Sequence, residues 1–70
     1  MTNKAAEVSR EEFEKRIKKL RPIIKTQIEN VLLKDDKEIV KFLYGKAPNG
    51  ERIYEIVYSG GMTRTWRTIK

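Results

Sequence analysis

The apolar residues between positions 13 and 31 follow a helical spacing. They recur every three or four residues, which places them along one stripe of an α-helix. Just before the stripe, Ser9 and Glu12 fit the two positions of a capping box, and Val8 and Phe13 fit those of a hydrophobic staple. The pattern therefore predicts a helix that begins at Ser9 and whose stripe consists of Phe13, Ile17, Leu20, Ile24, Ile28 and Val31.

Pro22 interrupts this stripe. Proline lacks an amide donor and disfavours helical geometry at the preceding residue, Arg21. We therefore expect the helix to be kinked or split at Pro22, with a second helical segment that ends near Leu33. A strand over residues 24–33 is the competing interpretation, and the apolar stripe favours the helix.

The second half of the chain has the composition of a β-sheet. Residues 37–46, 52–58 and 62–69 are rich in β-branched and aromatic types. Turn signals separate them at residues 47–50 and 59–61, each ending in glycine. The sequence predicts an α+β fold, in which the split N-terminal amphipathic helix packs on a three-stranded antiparallel β-meander. Residues 9–70 form this single domain, and residues 1–8 form a flexible N-terminal tail.

An alternative fold places a third helix over residues 36–44. Asp35 with Glu38 fits a second capping box, and Gly45 suits the end of a helix. Three helices followed by a hairpin would make a winged helix-turn-helix. The length of the β-rich run and the turn at residues 47–50 favour the meander.

The predicted sheet has two faces, neither of which is plainly polar. We place Ala47 opposite Glu51 and Tyr58 opposite Met62, because this register collects the aromatic residues on one face. We expect the helix to cover the other face, which is aliphatic, and to leave the aromatic face open. In the opposite arrangement the aromatic residues are the core. The aromatic face holds Val40, Phe42, Tyr44, Arg52, Tyr54, Ile56, Tyr58, Met62, Arg64 and Trp66, and the aliphatic face includes Ile39, Leu43, Ile53 and Val57.

The composition excludes several kinds of chemistry. The 70 residues include no cysteine and no histidine, which removes disulfides, thiol nucleophiles, Ser-His-Asp triads and the commonest metal ligands. We expect neither enzymatic activity nor a cofactor or bound metal. The chain has no apolar run of membrane-spanning length and no apolar leader segment, so a cytoplasmic protein without membrane contact is predicted.

The positive charge of the chain is clustered. The net charge is +6, and residues 15–25 contain six bases and no acid. Such a cluster attracts phosphates. The sequence therefore predicts a small nucleic-acid-binding protein, regulatory in role, whose partner is DNA or RNA. The candidate phosphate contacts are Lys15, Lys18, Lys19, Lys25, Arg52, Arg64 and Arg67, and the candidate stacking residues are Tyr54, Tyr58 and Trp66.

The alternative function belongs to a different class. An open apolar sheet face or edge would suit a protein-interaction module, such as a small inhibitor or adaptor. The same face would also allow a homodimer, which would enlarge the core of a very short chain. Steep salt dependence of binding would distinguish nucleic acid from a protein partner.

Overall fold

The computed structural model describes residues 5–68. Residues 1–4 of the predicted tail, Ile69 at the end of the third predicted strand, and Lys70 lie outside the described residues. The α+β class is confirmed, with two helices and one four-stranded sheet. In chain order the elements are β1 (Ala5–Val8), α1 (Arg10–Ile17), α2 (Pro22–Lys34), a single 3₁₀ turn (Asp36–Glu38), β2 (Ile39–Lys46), β3 (Arg52–Tyr58) and β4 (Thr63–Thr68).

The split of the helix at Pro22 is confirmed. Ser9 caps α1 through its Oγ, which accepts the Glu12 amide at 3.1 Å, whereas the Glu12 carboxylate pairs with Arg16 at 2.8 Å. Helix α1 ends at Ile17, and α2 begins at Pro22, the first-turn position where a missing amide donor costs nothing. Among the described residues, neither helix is long and apolar enough to span a membrane.

The sheet has the strand order β1-β2-β3-β4, and every neighbouring pair is antiparallel. Both predicted turns form in the predicted register. The Ala47 amide donates to the Glu51 carbonyl at 2.7 Å, and the Tyr58 amide donates to the Met62 carbonyl at 2.8 Å. Gly50 and Gly61 each have a φ of 92°, a conformation that glycine adopts without strain.

Residues 5–8 are a strand, so the prediction of a tail is wrong for this segment. Strand β1 pairs with β2, with Ala5 opposite Gly45 and Val8 opposite Phe42. This four-residue segment contains two alanines and has almost no β-propensity. It forms a strand because its backbone can pair with the edge of β2. The meander is therefore extended from three strands to four.

The winged helix-turn-helix alternative is wrong. Residues 36–38 make one 3₁₀ turn, and residues 39–46 are a strand. Strand β2 is hydrogen-bonded on both sides, to β1 and β3, so the sheet satisfies its backbone groups better than a short helix would.

The two helices lie on the aromatic face of the sheet, so the expected seating on the aliphatic face is wrong. Tyr54 and Ile56 are fully buried beneath them, and the Phe13 ring lies 5.0 Å from Phe42. Burying large rings removes more apolar area from water than burying aliphatic side chains, which favours this side. The buried cluster consists of Phe13, Ile17, Ile28, Leu32, Tyr54 and Ile56.

A β-bulge at the start of β2 also changes the predicted sorting. Ile39 pairs with Tyr58 and Lys41 with Val57, so Val40 has no direct partner. Ile39 therefore packs on the core, and Val40 is 55% exposed. The helix-free face keeps Leu43, Ile53 and Val57, together with Lys41, Glu55, Thr63, Thr65 and Arg67.

Candidate nucleic-acid interface

The densest basic segment forms the end of α1 and the tight connection to α2. The Lys19 amide donates to the Arg16 carbonyl at 3.3 Å, and the Leu20 amide donates to the Ile17 carbonyl at 3.0 Å. These bonds wrap the chain into one compact turn before Pro22. The exposed lysines at positions 15, 18 and 19 are thereby concentrated around this turn.

A shallow hollow lies among these side chains. It has a volume of about 460 Å³. The Arg16 guanidinium is held in place by Glu12 and by the Tyr44 ring, whose centroid is 4.2 Å away. The lysines of the hollow have no such partner among the described residues, so their charge faces solvent. The lining residues are Glu12, Lys15, Arg16, Lys18 and Lys19.

A second and larger hollow, which we call the basic groove, adjoins the first. It lies between the α1–α2 connection, the start of α2 and the paired ends of β3 and β4, where Arg52 is opposite Thr68. Its volume is about 530 Å³. Lys19 lines both hollows, so they form one continuous basic surface. The groove is lined by Lys19, Leu20, Arg21, Ile24, Arg52, Arg67 and Thr68.

Arg52 is the most enclosed cation of the basic groove. Its Nε is buried and has no hydrogen-bond acceptor among residues 5–68, and the same holds for the hydroxyl of Tyr54. Burial of the ring raises the pKa of Tyr54, and the nearby Arg52 guanidinium acts in the opposite direction. The charge of Arg52 is therefore not neutralised by a carboxylate of the described chain.

Arg67 enters the basic groove from the helix-free face. It lies opposite Ile53 on β3, and its Nη1 is 3.8 Å from Glu51 Oε1. The Arg67 side chain is 57% exposed, so solvent screens this pair and it holds the guanidinium only weakly. Arg67 is thus free to turn towards a ligand in the groove.

Arg64 lies away from the basic surface. Its Nε donates to the Tyr58 hydroxyl at 3.1 Å, and that hydroxyl donates to Asp35 Oδ2 at 2.6 Å. Burial and the bond to Asp35 raise the pKa of Tyr58. Arg64 is therefore balanced by an acid through Tyr58.

The predicted stacking residues belong to the core rather than to an open platform. Tyr54 has no exposed surface, and Tyr58 and Trp66 are half-buried against the core cluster. The prediction of an open stacking platform is wrong because the helices cover the aromatic face of the sheet.

Lys25 is also half-buried, one helical turn after Arg21, and it lines neither hollow.

Two arginines of the basic surface, Arg16 and Arg21, were not among the predicted contacts, and neither were the apolar residues Leu20 and Ile24. The sequence offered a signal for the position of Arg21. It precedes Pro22, and the residue before a proline that begins a helix is the N-cap residue of that helix.

No group of three or more histidine, cysteine or acidic side chains is placed to hold a metal ion within residues 5–68. Comparisons with protein-family models, curated proteins and solved structures found no match to this chain.

Proposed function

We propose that this protein is a non-enzymatic nucleic-acid-binding protein that holds the phosphate backbone on its basic surface. One observation carries the proposal. Two adjoining hollows are lined by seven basic side chains, and Glu12 is the one acid among their lining residues. These bases come from residues 15–21 and from β3 and β4, so folding brings together charges that are distant in the sequence.

The chemistry of these side chains suits phosphate. The lysines are flexible point charges that follow a backbone, and the arginines offer forked donors that match phosphate oxygens. Both release condensed counterions when they meet a nucleic acid, which makes the affinity fall steeply with salt. We place this binding in the cytoplasm, on the strength of the cysteine-free composition.

The test is binding of a fluorescently labelled oligonucleotide, followed by anisotropy over a series of salt concentrations. The variant Lys18→Gln/Lys19→Gln removes two charges from the basic surface. The control Lys34→Gln/Lys37→Gln removes two exposed lysines next to the acids Asp35 and Asp36. We expect the first variant to weaken binding and lower the salt slope by about two, and the control to bind like the parent protein. Equal effects of the two variants would contradict the proposed surface.

A second candidate function is assembly with a second copy through the helix-free face. Leu43 and Val57 are half-buried there without a helix above them, and Lys41 and Glu55 give the face both signs of charge. In a twofold dimer, the acids on this face of one copy can pair with the bases on the same face of the other copy. We expect sedimentation to show a dimer at micromolar concentration and the variant Val57→Arg to be a monomer. A monomeric parent protein would reject this candidate.

A further inference from the structure

The basic groove differs from the rest of the basic surface because two of its lining side chains are apolar. Leu20 and Ile24 form an apolar wall beside its cations. A simple patch for the nucleic-acid backbone needs no such wall, since phosphates and sugars are polar. Its volume of about 530 Å³ lies within the range of small-molecule sites, about 300–1,000 Å³.

Three of the four cations of the groove have no acidic partner within residues 5–68, and Arg67 has only a weak one, Glu51 at 3.8 Å. Arg52 is the clearest case, because its Nε is buried and has no acceptor in the described part of the chain. Arg52 as a whole is only partly buried and lines the groove, so its guanidinium can donate to an external acceptor there. A phosphate entering the groove would bring oxygens to the Arg52 guanidinium and to the exposed side chains of Lys19 and Arg21.

The beginning of α2 adds to the same field. Its N-cap residue is Arg21, no side chain caps its amides, and its first turn contains no acid. This end of a 13-residue helix therefore keeps its partial positive charge, and Arg21 and Ile24 place it at the groove. The attraction for phosphate comes from the four cations of the groove, and the partial charge of the helix end adds to their positive field.

We infer that the basic groove binds one unpaired nucleotide of a nucleic-acid strand, with the phosphate on Arg52, Arg21 and Lys19 and the base against Leu20 and Ile24. This inference rests on the proposed function and specifies its partner. In a duplex the bases are stacked and paired inside, so they cannot reach the apolar wall of a concave site. The protein should therefore prefer single strands to duplexes.

The experiment measures anisotropy for a labelled single strand and for the duplex of the same sequence at one salt concentration. We expect the single strand to bind at least about tenfold more tightly. Arg52→Gln should weaken binding of the single strand more than binding of the duplex, and so reduce this preference. Because Arg52 is partly buried, a second variant, Ile24→Ser, tests the apolar wall separately, and circular dichroism checks that both variants fold. We expect Ile24→Ser also to reduce single-strand binding selectively.

A third measurement distinguishes a strand from a free nucleotide. A nucleoside monophosphate and inorganic phosphate are titrated into the parent protein, and the amide signals of residues 19–24 are followed by NMR. We expect the nucleotide to shift them at lower concentration than phosphate does. Shifts with the free nucleotide but no binding of the single strand would overturn the inference.

Other outcomes separate the inference from the proposed function. Equal affinity for single strand and duplex, or an equal loss of both in Arg52→Gln, would overturn the inference and leave backbone binding intact. Failure to bind either form at low salt would overturn the proposed function itself.

Discussion

Arg64 and Arg67 lie three residues apart on β4 and face opposite sides of the sheet. Arg64 is opposite Ile56, on the side of the helices, and Arg67 is opposite Ile53, on the helix-free side. They also have different partners, since Arg64 donates to Tyr58 and Arg67 reaches the basic groove. Two bases that look equivalent in the sequence therefore have different surroundings.

This difference leads to a prediction for two matched variants. Arg67→Gln should weaken oligonucleotide binding and lower the salt slope by about one, because one phosphate contact is lost. Arg64→Gln removes the same charge, but it lies outside the basic surface and should leave the slope unchanged. Anisotropy titrations over several salt concentrations check both. A larger effect of Arg64→Gln would show that the basic groove is not the site.

The stability of the domain should depend strongly on Phe13. Its ring is fully buried and lies 6.0 Å from Tyr54 in an edge-on arrangement. Phe13→Ala should lower the free energy of unfolding by about 3–5 kcal/mol, a large part of the total for so short a chain. Urea denaturation followed by circular dichroism measures it. Leu33→Ala is the control, because Leu33 is 80% exposed and should change stability by less than about 0.5 kcal/mol.

Tyr54 and Tyr58 should respond in opposite ways to loss of the hydroxyl. The Tyr54 hydroxyl is buried without a partner within residues 5–68, so Tyr54→Phe should leave stability unchanged or raise it by about 1 kcal/mol. The Tyr58 hydroxyl bonds Asp35, so Tyr58→Phe should lower stability by about 1 kcal/mol. Thermal unfolding of both variants tests this pair. A loss in Tyr54→Phe as large as that in Tyr58→Phe would reveal a partner for its hydroxyl.

Alkaline pH should destabilise the fold through the same two tyrosines. Burial is the main cause that raises the pKa of Tyr54 and of Tyr58 above that of an ordinary tyrosine, about 10. Below about pH 10 both folded and unfolded forms keep the proton, and this contribution to stability is fully present. Above it the unfolded chain ionises first, so the free energy of unfolding falls until the folded tyrosines ionise too.

The measurement for this prediction is the urea midpoint at roughly pH 8 and roughly pH 11. Lysines also titrate in this range, so the informative comparison is with the double variant Tyr54→Phe/Tyr58→Phe. The variant should lose less stability between the two pH values than the parent protein. The same loss in both proteins would mean that neither hydroxyl has a raised pKa.

Local signals in the sequence predicted much of the fold. Ser9 and Pro22 set the starts of the two helices, and the glycine turns set the register of β2, β3 and β4. Strand β1 was missed because Ala5–Val8 has no β pattern of its own and depends on the edge of β2. The covered face was predicted wrongly because alternation along a strand does not reveal which of two apolar faces a helix will choose.

The candidate site was predictable in part. The basic cluster at residues 15–25, which contains no acid, was visible in the sequence, and Arg52 and Arg67 join part of it in the basic groove. Arg64 and the three ring residues were placed in the predicted site because the aromatic face was expected to be open. Arg52 on the sheet and Lys19 in the helix connection line the same groove although they are distant in the sequence, and no local pattern encodes this arrangement.

The most direct measurement is a map of amide chemical-shift changes as a single-stranded oligonucleotide is added to labelled protein at low salt. We expect the changes to concentrate at residues 15–24 and at Arg52 and Arg67, and to fade as salt is raised. The amide signals of residues 35–41, which include the acidic 3₁₀ turn, and the signal of Arg64 should not shift. Changes centred on the latter set, or no change at any residue, would contradict phosphate binding by the basic surface.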